Sequence, residues 1–233
     1  MTSFGCPLSC SYCASRLLWP EYLRRSALSV LCETDYQVSL GVKDFAFYDD
    51  ALLLDKEKYF YPLCRELRSR YEDDLSFHTP NGLHVREIDE ECAMTLKGAG
   101  FRTIRLSLES IDPEIAGAGS GKVAREEYIK AVRHLLDAGY SRNDCETYIL
   151  LGLPGQDIVS VKDTIDFVHA AGGKPKLAEF SPIPGTPSFE KAAEKLPELR
   201  NEPLLQNNSV YSSWISGNIS PEELQELKDL ARK

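Results

Sequence analysis

Residues 88–108, IDEECAMTLKGAGFRTIRLSL, contain the pattern that decides the fold. An amphipathic stretch at 88–99 has helical character, and it is followed by Gly100 and then by the apolar, β-branched run 103–108. Glycine suits the position just after a helix because the left-handed backbone found there carries no Cβ penalty for it. The stretch therefore predicts one helix followed by one strand.

The same succession of a helical stretch and a short apolar strand recurs along most of the chain. The other predicted helices and the strands that follow them are 21–40 with 45–48, 55–73 with 75–78, 125–138 with 147–151, and 158–171 with 176–180. Short apolar strands that alternate with longer amphipathic helices indicate βα units and a parallel sheet. The sequence therefore predicts an α/β protein, an open or partly closed βα barrel, with its chemistry on the loops after the strand carboxyl ends.

The succession of helices and strands changes after Pro182. Several prolines interrupt the pattern there, and residues 204–218 are polar and irregular. The sequence SPEE at 220–223 has a capping serine, a proline at the first helical position and a glutamate that can close a capping box. We therefore expect a core domain at 1–187 and a short C-terminal extension at 188–233, partly irregular with a terminal helix.

Composition excludes some classes of protein without identifying a function. Among the 233 residues, 42% are hydrophobic and 27% are charged, as in an average globular chain. The net charge of −9 disfavours bulk attraction to nucleic acid or to an anionic membrane. No apolar run approaches the roughly 20 residues of a membrane helix, and no secretory signal is visible. We expect a cytoplasmic protein without a membrane partner, and nucleic acid is not an expected partner.

Three of the seven cysteines lie in the stretch CPLSCSYC at 6–13, with the spacing C-x3-C-x2-C. An odd cysteine count in a chain without a secretory signal does not suggest a disulfide framework. Three thiolates on one tight loop can hold three corners of a cubane iron–sulfur cluster and leave one iron for another ligand. Zinc is the main inorganic alternative, although Cys32 or His78 could supply its fourth ligand only through a long-range contact.

At these residues the sequence resembles the radical S-adenosylmethionine (SAM) superfamily. The family signature is C-x3-C-x-aromatic-C, and Cys6, Cys10, Tyr12 and Cys13 match it. The resemblance covers roughly residues 1–187 and implies a partial (β/α)6 TIM-like barrel. It also implies that the three cysteines bind a [4Fe–4S] cluster, that the open iron takes SAM, and that Tyr12 belongs to the SAM site. An electron from a donor such as flavodoxin or ferredoxin would then cleave SAM to a 5′-deoxyadenosyl radical, which abstracts hydrogen from a substrate.

The resemblance further implies where the amino group of SAM would bind. The family carries a Gly-Gly-Glu motif after its second strand, and Asp49 and Asp50 hold that place here. A carboxylate can accept hydrogen bonds from an ammonium group, so the replacement is chemically sensible. The alternative is that the two aspartates cap a helix that begins near Ala51.

Ser107 and Glu109 match the family segment that binds the ribose and amino groups of SAM. Strand alternation places both on one face with Arg105. Polar groups that face into a barrel are costly without a ligand or partner, which favours Glu109 as a binding residue; a salt bridge to Arg105 is the alternative. Gly152, in LGLPG at 151–155, matches a loop that passes the adenine, although a plain turn explains it equally well.

Three polar residues follow the third predicted strand, where substrate-facing residues are expected. His78, Asn81 and His84 are therefore substrate candidates, and structural hydrogen bonding is the alternative. The stretch GAGSGK at 117–122 lacks the spacing of a phosphate-binding loop, so we expect a plain loop there.

The residues within these motifs most resemble those of radical SAM cores that follow a cobalamin-binding domain. The chain has five residues before Cys6, so we expect a largely truncated first strand, as in a fragment of a longer protein or the product of a shortened gene. The leading hypothesis is a radical SAM enzyme of unknown substrate. The alternative is a non-catalytic barrel that holds zinc or a degenerate cluster and acts through partner contacts.

Overall fold

The computed structural model describes residues 1–116, 123–211 and 219–233. The glycine-rich stretch 117–122 and part of the predicted irregular region, 212–218, lie outside the described residues. The strands in chain order are β1 Ser3–Phe4, β2 Leu23–Arg24, β3 Asp44–Ala46, β4 Ser76–His78, β5 Leu83–His84, β6 Phe101–Glu109, β7 Cys145–Leu151 and β8 Lys174–Glu179.

Helices surround these strands. They are α1 Ser15–Leu18, α2 Ala27–Ser39, α3 Phe60–Tyr71, α4 Glu90–Gly98, α5 Pro113–Ala116, α6 Arg125–Asp137, α7 Ile158–Ala170, α8 Pro187–Lys195, α9 Asn208–Val210 and α10 Pro221–Ala231. Short 3-10 turns occur at Val85–Glu87, Arg142–Asp144, Pro197–Arg200 and Pro203–Gln206. Over the described ranges, no helix is both long enough and apolar enough to cross a bilayer.

The predicted strands form one parallel sheet in the order β3-β4-β6-β7-β8. This confirms the α/β class and the parallel βα arrangement. The sheet gains one strand that the sequence did not predict, because β5 runs parallel to the second half of β6. Within the described residues, β3 and β8 form its two edges, so the sheet is open rather than a closed barrel. The short strands β1 and β2 pair antiparallel with each other, outside the main sheet.

Alternation along β6 separates an apolar face from a polar one. Ile104, Leu106 and Leu108 are buried, whereas Arg105 and Glu109 on the other face are only half-buried. The apolar face packs into the main core, which also contains residues of α4, α6 and α7. With helices covering the apolar face, the polar side chains lie on the inner face of the curved sheet, where a ligand can meet them.

Helix ends follow local capping signals, and the predicted starts of α2 and α3 were wrong, since α3 begins at Phe60 and not at residue 55. The Ser26 hydroxyl accepts a hydrogen bond from the Ser29 N–H at 3.2 Å, so α2 begins after Ser26 and not at residue 21. The preceding residues are in β2, which a local helical pattern could not reveal. The capping box of α10 is confirmed, because the N–H groups of Ser220 and Glu223 each donate to the other's side chain, at 2.8 and 3.2 Å.

The C-terminal region packs closely against the core. A second apolar cluster joins Leu153 and Phe180 to Phe189 of α8 and to Tyr211. Helix α10 contacts α7 and β8 and contributes Leu227 to the main core. The division of the chain at residue 187 stays a prediction.

Candidate active site

One cavity lies where the carboxyl ends of the parallel strands meet the cysteine loop. Its volume is about 410 Å³, within the range of small-molecule sites. The wall combines the cysteine loop, the loops after β3 and β4, and the inner face of β6 to β8. The lining residues are Cys6, Cys10, Tyr12, Cys13, Ser15, Asp50, Pro80, Asn81, Gly82, His84, Ser107, Leu108, Glu109, Val123, Tyr148 and Ala178.

The three cysteines of the C-x3-C-x2-C stretch all face this cavity. Cys6 and Cys10 are half-buried and Cys13 is exposed. The loop is held tightly, because the Cys13 N–H donates to the Cys10 carbonyl at 3.2 Å and the Ser15 N–H donates to Cys13 Sγ at 3.4 Å. Burial raises the pKa of the Cys6 thiol, and negative charge on Cys10 and Cys13 raises it further. Three thiolates so close to one another therefore need a positively charged ligand to be stable together.

The donor set fits an iron–sulfur cluster. In the described ranges, no three cysteine, histidine or acidic side chains converge closely enough to hold a single metal ion. A cubane cluster does not need such convergence, because each cysteine binds a different iron. Cys6, Cys10 and Cys13 would hold three of its corners, with the cavity in front of them available to a further ligand.

Tyr12 and Gly152 have different positions relative to the cavity. Tyr12 lines it and packs against the second apolar cluster, and burial, followed by the charge of Glu109, raises its pKa. Gly152 is buried just after β7 with a φ of +86°, beside Leu153, and it is not among the described residues that line the cavity. The turn reading of Gly152 is therefore better supported than an adenine contact, because this left-handed backbone favours glycine.

The two adjacent aspartates, Asp49 and Asp50, make different contacts. Asp49 is buried, and its carboxylate accepts hydrogen bonds from the backbone N–H and the hydroxyl of both Thr2 and Ser3, at 2.6 to 3.0 Å. It holds β1 beside β3 and does not line the cavity, so its role as a SAM-binding residue stays a prediction that this geometry does not support. Asp50 does line the cavity and accepts a hydrogen bond from the Ser15 hydroxyl. Neither caps a helix, because α3 begins only at Phe60.

Asp49→Asn is expected to lower the free energy of unfolding by about 2 kcal/mol, because the amide loses charge-assisted hydrogen bonds and turns a donor toward other donors. Urea denaturation at neutral pH measures the change. The matched control is Asp50→Asn, which weakens one charge-assisted hydrogen bond, that from the Ser15 hydroxyl, and should cost less than half as much. A larger loss of stability in Asp50→Asn would contradict the assignment.

The end of β6 turns Glu109 into the cavity. A bulge between Ser107 and Glu109 shifts the pairing with β7, and Glu109 has a φ of +68°, which is unusual for a residue with a side chain. Burial raises the pKa of Glu109 to about 7, although a hydrogen bond with Ser107 opposes the shift. The predicted alternative of a salt bridge to Arg105 is wrong, because Arg105 Nε donates to Glu146 at 3.0 Å instead. A strained backbone that presents an acid with a raised pKa is typical of functional sites.

The substrate candidates after β4 also differ in whether they line the cavity. Asn81 lines the cavity, and its side-chain amide donates to the carbonyls of Tyr48 at 2.8 Å and Asp49 at 3.4 Å. His78 is not among the cavity residues, and its Nδ1 lies 2.9 Å from Thr103 Oγ1 on the neighbouring strand. Its role as a substrate residue stays a prediction that this geometry does not support. His84 lines the cavity, and burial lowers its pKa, so this imidazole stays neutral at pH 7.

Sequence reasoning missed several residues of the wall. Tyr148 and Ala178 could have been found, because alternation places them on the face of β7 and β8 that continues the face of Ser107. Gly82 had no local signal. It approaches β6 so closely that a Cβ would clash with Ser107 Oγ, and this requirement exists only in the folded chain.

Comparisons with known proteins agree with this fold. The family model described as Radical SAM superfamily matches residues 1–168. An uncharacterized methyltransferase of Pyrococcus horikoshii is 26% identical over 198 residues, which cover 82% of this chain and 41% of that protein. Further relatives are named as synthases and cyclases. The chain thus spans about two fifths of the length of the first of these relatives.

Two solved structures show the same fold. The radical SAM methyltransferase TsrM from Kitasatospora setae, with cobalamin and a [4Fe–4S] cluster bound, has a TM-score of 0.69 and 24% identity, over 87% of this chain and 37% of that one. Methylornithine synthase has a TM-score of 0.63 and 16% identity, over 99% of this chain and 61% of that one. At such identities the likeness concerns the fold alone.

Proposed function

This chain belongs to the radical SAM superfamily, and we propose that its cavity binds S-adenosylmethionine beside a [4Fe–4S] cluster and promotes reductive cleavage of SAM. The single observation that carries the proposal is the meeting of three cysteines and two carboxylates, Asp50 and Glu109, on one cavity wall. The cysteines come from the start of the chain and the carboxylates from the ends of two strands. They share a site only because the fold brings these segments together.

The cysteine loop would hold the cluster through Cys6, Cys10 and Cys13. When bound and reduced, the cluster supplies the electron that cleaves the sulfonium bond of SAM and yields methionine and a 5′-deoxyadenosyl radical. The chain itself contributes a fixed loop, in which the Ser15 N–H donates to Cys13 Sγ. Tyr12 fills the space between this loop and the second apolar cluster, which limits the access of water to the site.

The two carboxylates would orient SAM. Asp50 and the ionised form of Glu109, which line the cavity, could each accept hydrogen bonds from its ammonium group, and Ser107 could bond a ribose hydroxyl. Such contacts would hold SAM in the cavity in front of the cysteine loop. The relatives catalyse different reactions, so the substrate that loses hydrogen to the radical is not inferred from them.

Anaerobic reconstitution tests the proposal. We expect the purified chain to take up iron and sulfide to about four irons per chain, and to form 5′-deoxyadenosine from SAM when a chemical reductant is added. Liquid chromatography with mass spectrometry measures the product. Flavodoxin or ferredoxin, the expected physiological donors, are then compared with the chemical reductant. Stoichiometric zinc without iron, and no 5′-deoxyadenosine, would instead support the non-catalytic metal-binding barrel.

A further inference from the structure

A cluster of cations continues the inner face of the sheet beyond the cavity. We call it the basic cluster, and it consists of Arg105, Lys174 and Lys176 around Glu146. Arg105 Nε and Lys176 Nζ lie 3.0 and 3.1 Å from Glu146 Oε2, and Lys174 Nζ lies 3.8 Å from Oε1. Three cations therefore share one carboxylate in a chain whose net charge is −9.

The basic cluster is half-exposed, which leaves it open to a ligand. The side chains of Lys174 and Lys176 are 39% and 38% exposed, and that of Arg105 is 27% exposed. Like charges this close together repel one another, so three cations around one carboxylate are less favourable than a balanced ion pair. Here two positive charges are left without a matching negative one among these four residues. This excess of positive charge favours the binding of an anion.

Strand register ties the basic cluster to the cavity. Arg105 lies two residues before Ser107 on β6, and Lys176 lies two residues before Ala178 on β8. Because residues two apart point to the same face, the basic cluster and the cavity wall are continuous, about 7 Å apart along the strands.

Tyr148 and Pro80 lie between the cavity and the basic cluster. The Tyr148 hydroxyl donates to the Pro80 carbonyl at 2.8 Å, and the Arg105 guanidinium lies 5.8 Å from the centre of the Tyr148 ring. Both Tyr148 and Pro80 also line the cavity. A ligand that extends past Tyr148 and Pro80 would contact the cavity at one end and the basic cluster at the other.

We propose that the basic cluster binds an anionic group of the substrate, a carboxylate or a phosphate, while the carbon that reacts lies in the cavity. This inference rests on the proposed function, because it takes the cavity as the place of hydrogen abstraction. Lysine and arginine together suit such a group, since Arg105 offers planar donors and the two lysines are mobile point charges. The strand spacing sets the distance between the anionic group and the reacting carbon at about 7 to 14 Å.

The test compares two double variants of the reconstituted chain. Lys174→Gln/Lys176→Gln removes two charges of the basic cluster. Lys162→Gln/Lys228→Gln removes two charges from α7 and α10, where each lysine pairs with one glutamate at 3.0 Å. Inorganic pyrophosphate and succinate are titrated separately by calorimetry at low salt, so that the phosphate and carboxylate arms are distinguished.

We expect at least one of the two probes to bind the wild-type chain. Its affinity should fall at least about tenfold in Lys174→Gln/Lys176→Gln, which is about 1.4 kcal/mol, and should stay within a factor of two in the control variant. Acetic anhydride labelling provides the location, because the bound probe should protect Lys174 and Lys176 and leave Lys162 and Lys228 reactive. Equal affinities in the two variants, or no binding of either probe to the wild-type chain, would overturn the inference.

The outcome is separable from that of the proposed function. Formation of 5′-deoxyadenosine by the wild-type chain is measured in the same preparation. If the product forms but the two variants bind the probes equally, only the basic cluster proposal is wrong. If the lysines bind the probe but no 5′-deoxyadenosine forms, the proposed function fails and the basic cluster remains an anion site without an assigned reaction.

Discussion

Cys13→Ala is expected to abolish cluster assembly and, with it, the formation of 5′-deoxyadenosine. Loss of groups that merely support metal ligands commonly costs 10- to 100-fold in metal affinity or activity, so loss of a ligand itself should cost at least about a hundredfold. Cys13 is the most suitable of the three positions, because it is exposed and its removal should disturb the fold least. Iron content, the visible absorbance of the cluster and product yield are the three measurements.

Cys32→Ala is the matched control. Cys32 is also exposed, and it lies on α2 and does not line the cavity. We expect this variant to bind iron and to form product as the wild-type chain does. Equal losses in the two variants would mean that exposed thiols in general matter for reconstitution, and the cysteine loop would no longer be the assigned cluster site.

Local sequence patterns predicted the fold well wherever local forces determine it. Gly100 has a φ of +90° just after α4, and apolar alternation correctly separated the two faces of β6. Errors arose where distant segments pair. β6 begins at Phe101, two residues earlier than predicted, because Phe101 aligns with Phe77 of β4. The pairing of β1 with β2 likewise shortened α2, and no pattern within either segment signals such pairing.

The prediction of the site was limited in the same way, because local sequence does not show contacts between distant segments. Spacing brought the three cysteines together, and the match to a family segment, supported by strand alternation, indicated Glu109, because these signals are contained in a few neighbouring residues. The difference between Asp49 and Asp50 is not in the sequence around them. It depends on Thr2 and Ser3, which saturate one carboxylate and leave the other facing the cavity.

Glu109→Gln is expected to stabilise the fold and weaken SAM binding. The pKa of Glu109 is raised to about 7 by burial, from an ordinary value of 4.5. The folded chain therefore holds a proton that the unfolded chain has lost between these pH values, and the free energy of unfolding falls as pH rises from about 4.5 to 7. Above pH 7 the full penalty of about 3 kcal/mol applies. Glutamine does not ionise and escapes it.

Urea denaturation without SAM measures this effect. At pH 8 the glutamine variant should be more stable than the wild-type chain by up to about 3 kcal/mol, and at pH 5 the difference should shrink to less than half. Glu146→Gln is the control on the same face of the sheet. Burial opposes its ionisation, but hydrogen bonds from Lys176 and Arg105 hold the pKa of Glu146 below its ordinary value. That variant should lose stability at pH 8, and a gain would contradict the reasoning.

The charged Glu109 side chain lowers the stability of the free protein. A role in binding the ammonium group of SAM would explain why such a residue is present. An ammonium group beside the carboxylate lowers the pKa of Glu109, so SAM binding should release a proton below pH 7 and its affinity should rise with pH through that value. In Glu109→Gln we expect affinity for SAM to fall at least about tenfold at pH 8 and to lose this pH dependence. Calorimetry in buffers of different ionisation enthalpy measures both the affinity and the proton release. If the glutamine variant were more stable yet bound SAM as tightly as the wild-type chain, Glu109 would be an acid of raised pKa without a part in cofactor binding. A stability gain coupled to weaker binding is the result that a functional role requires.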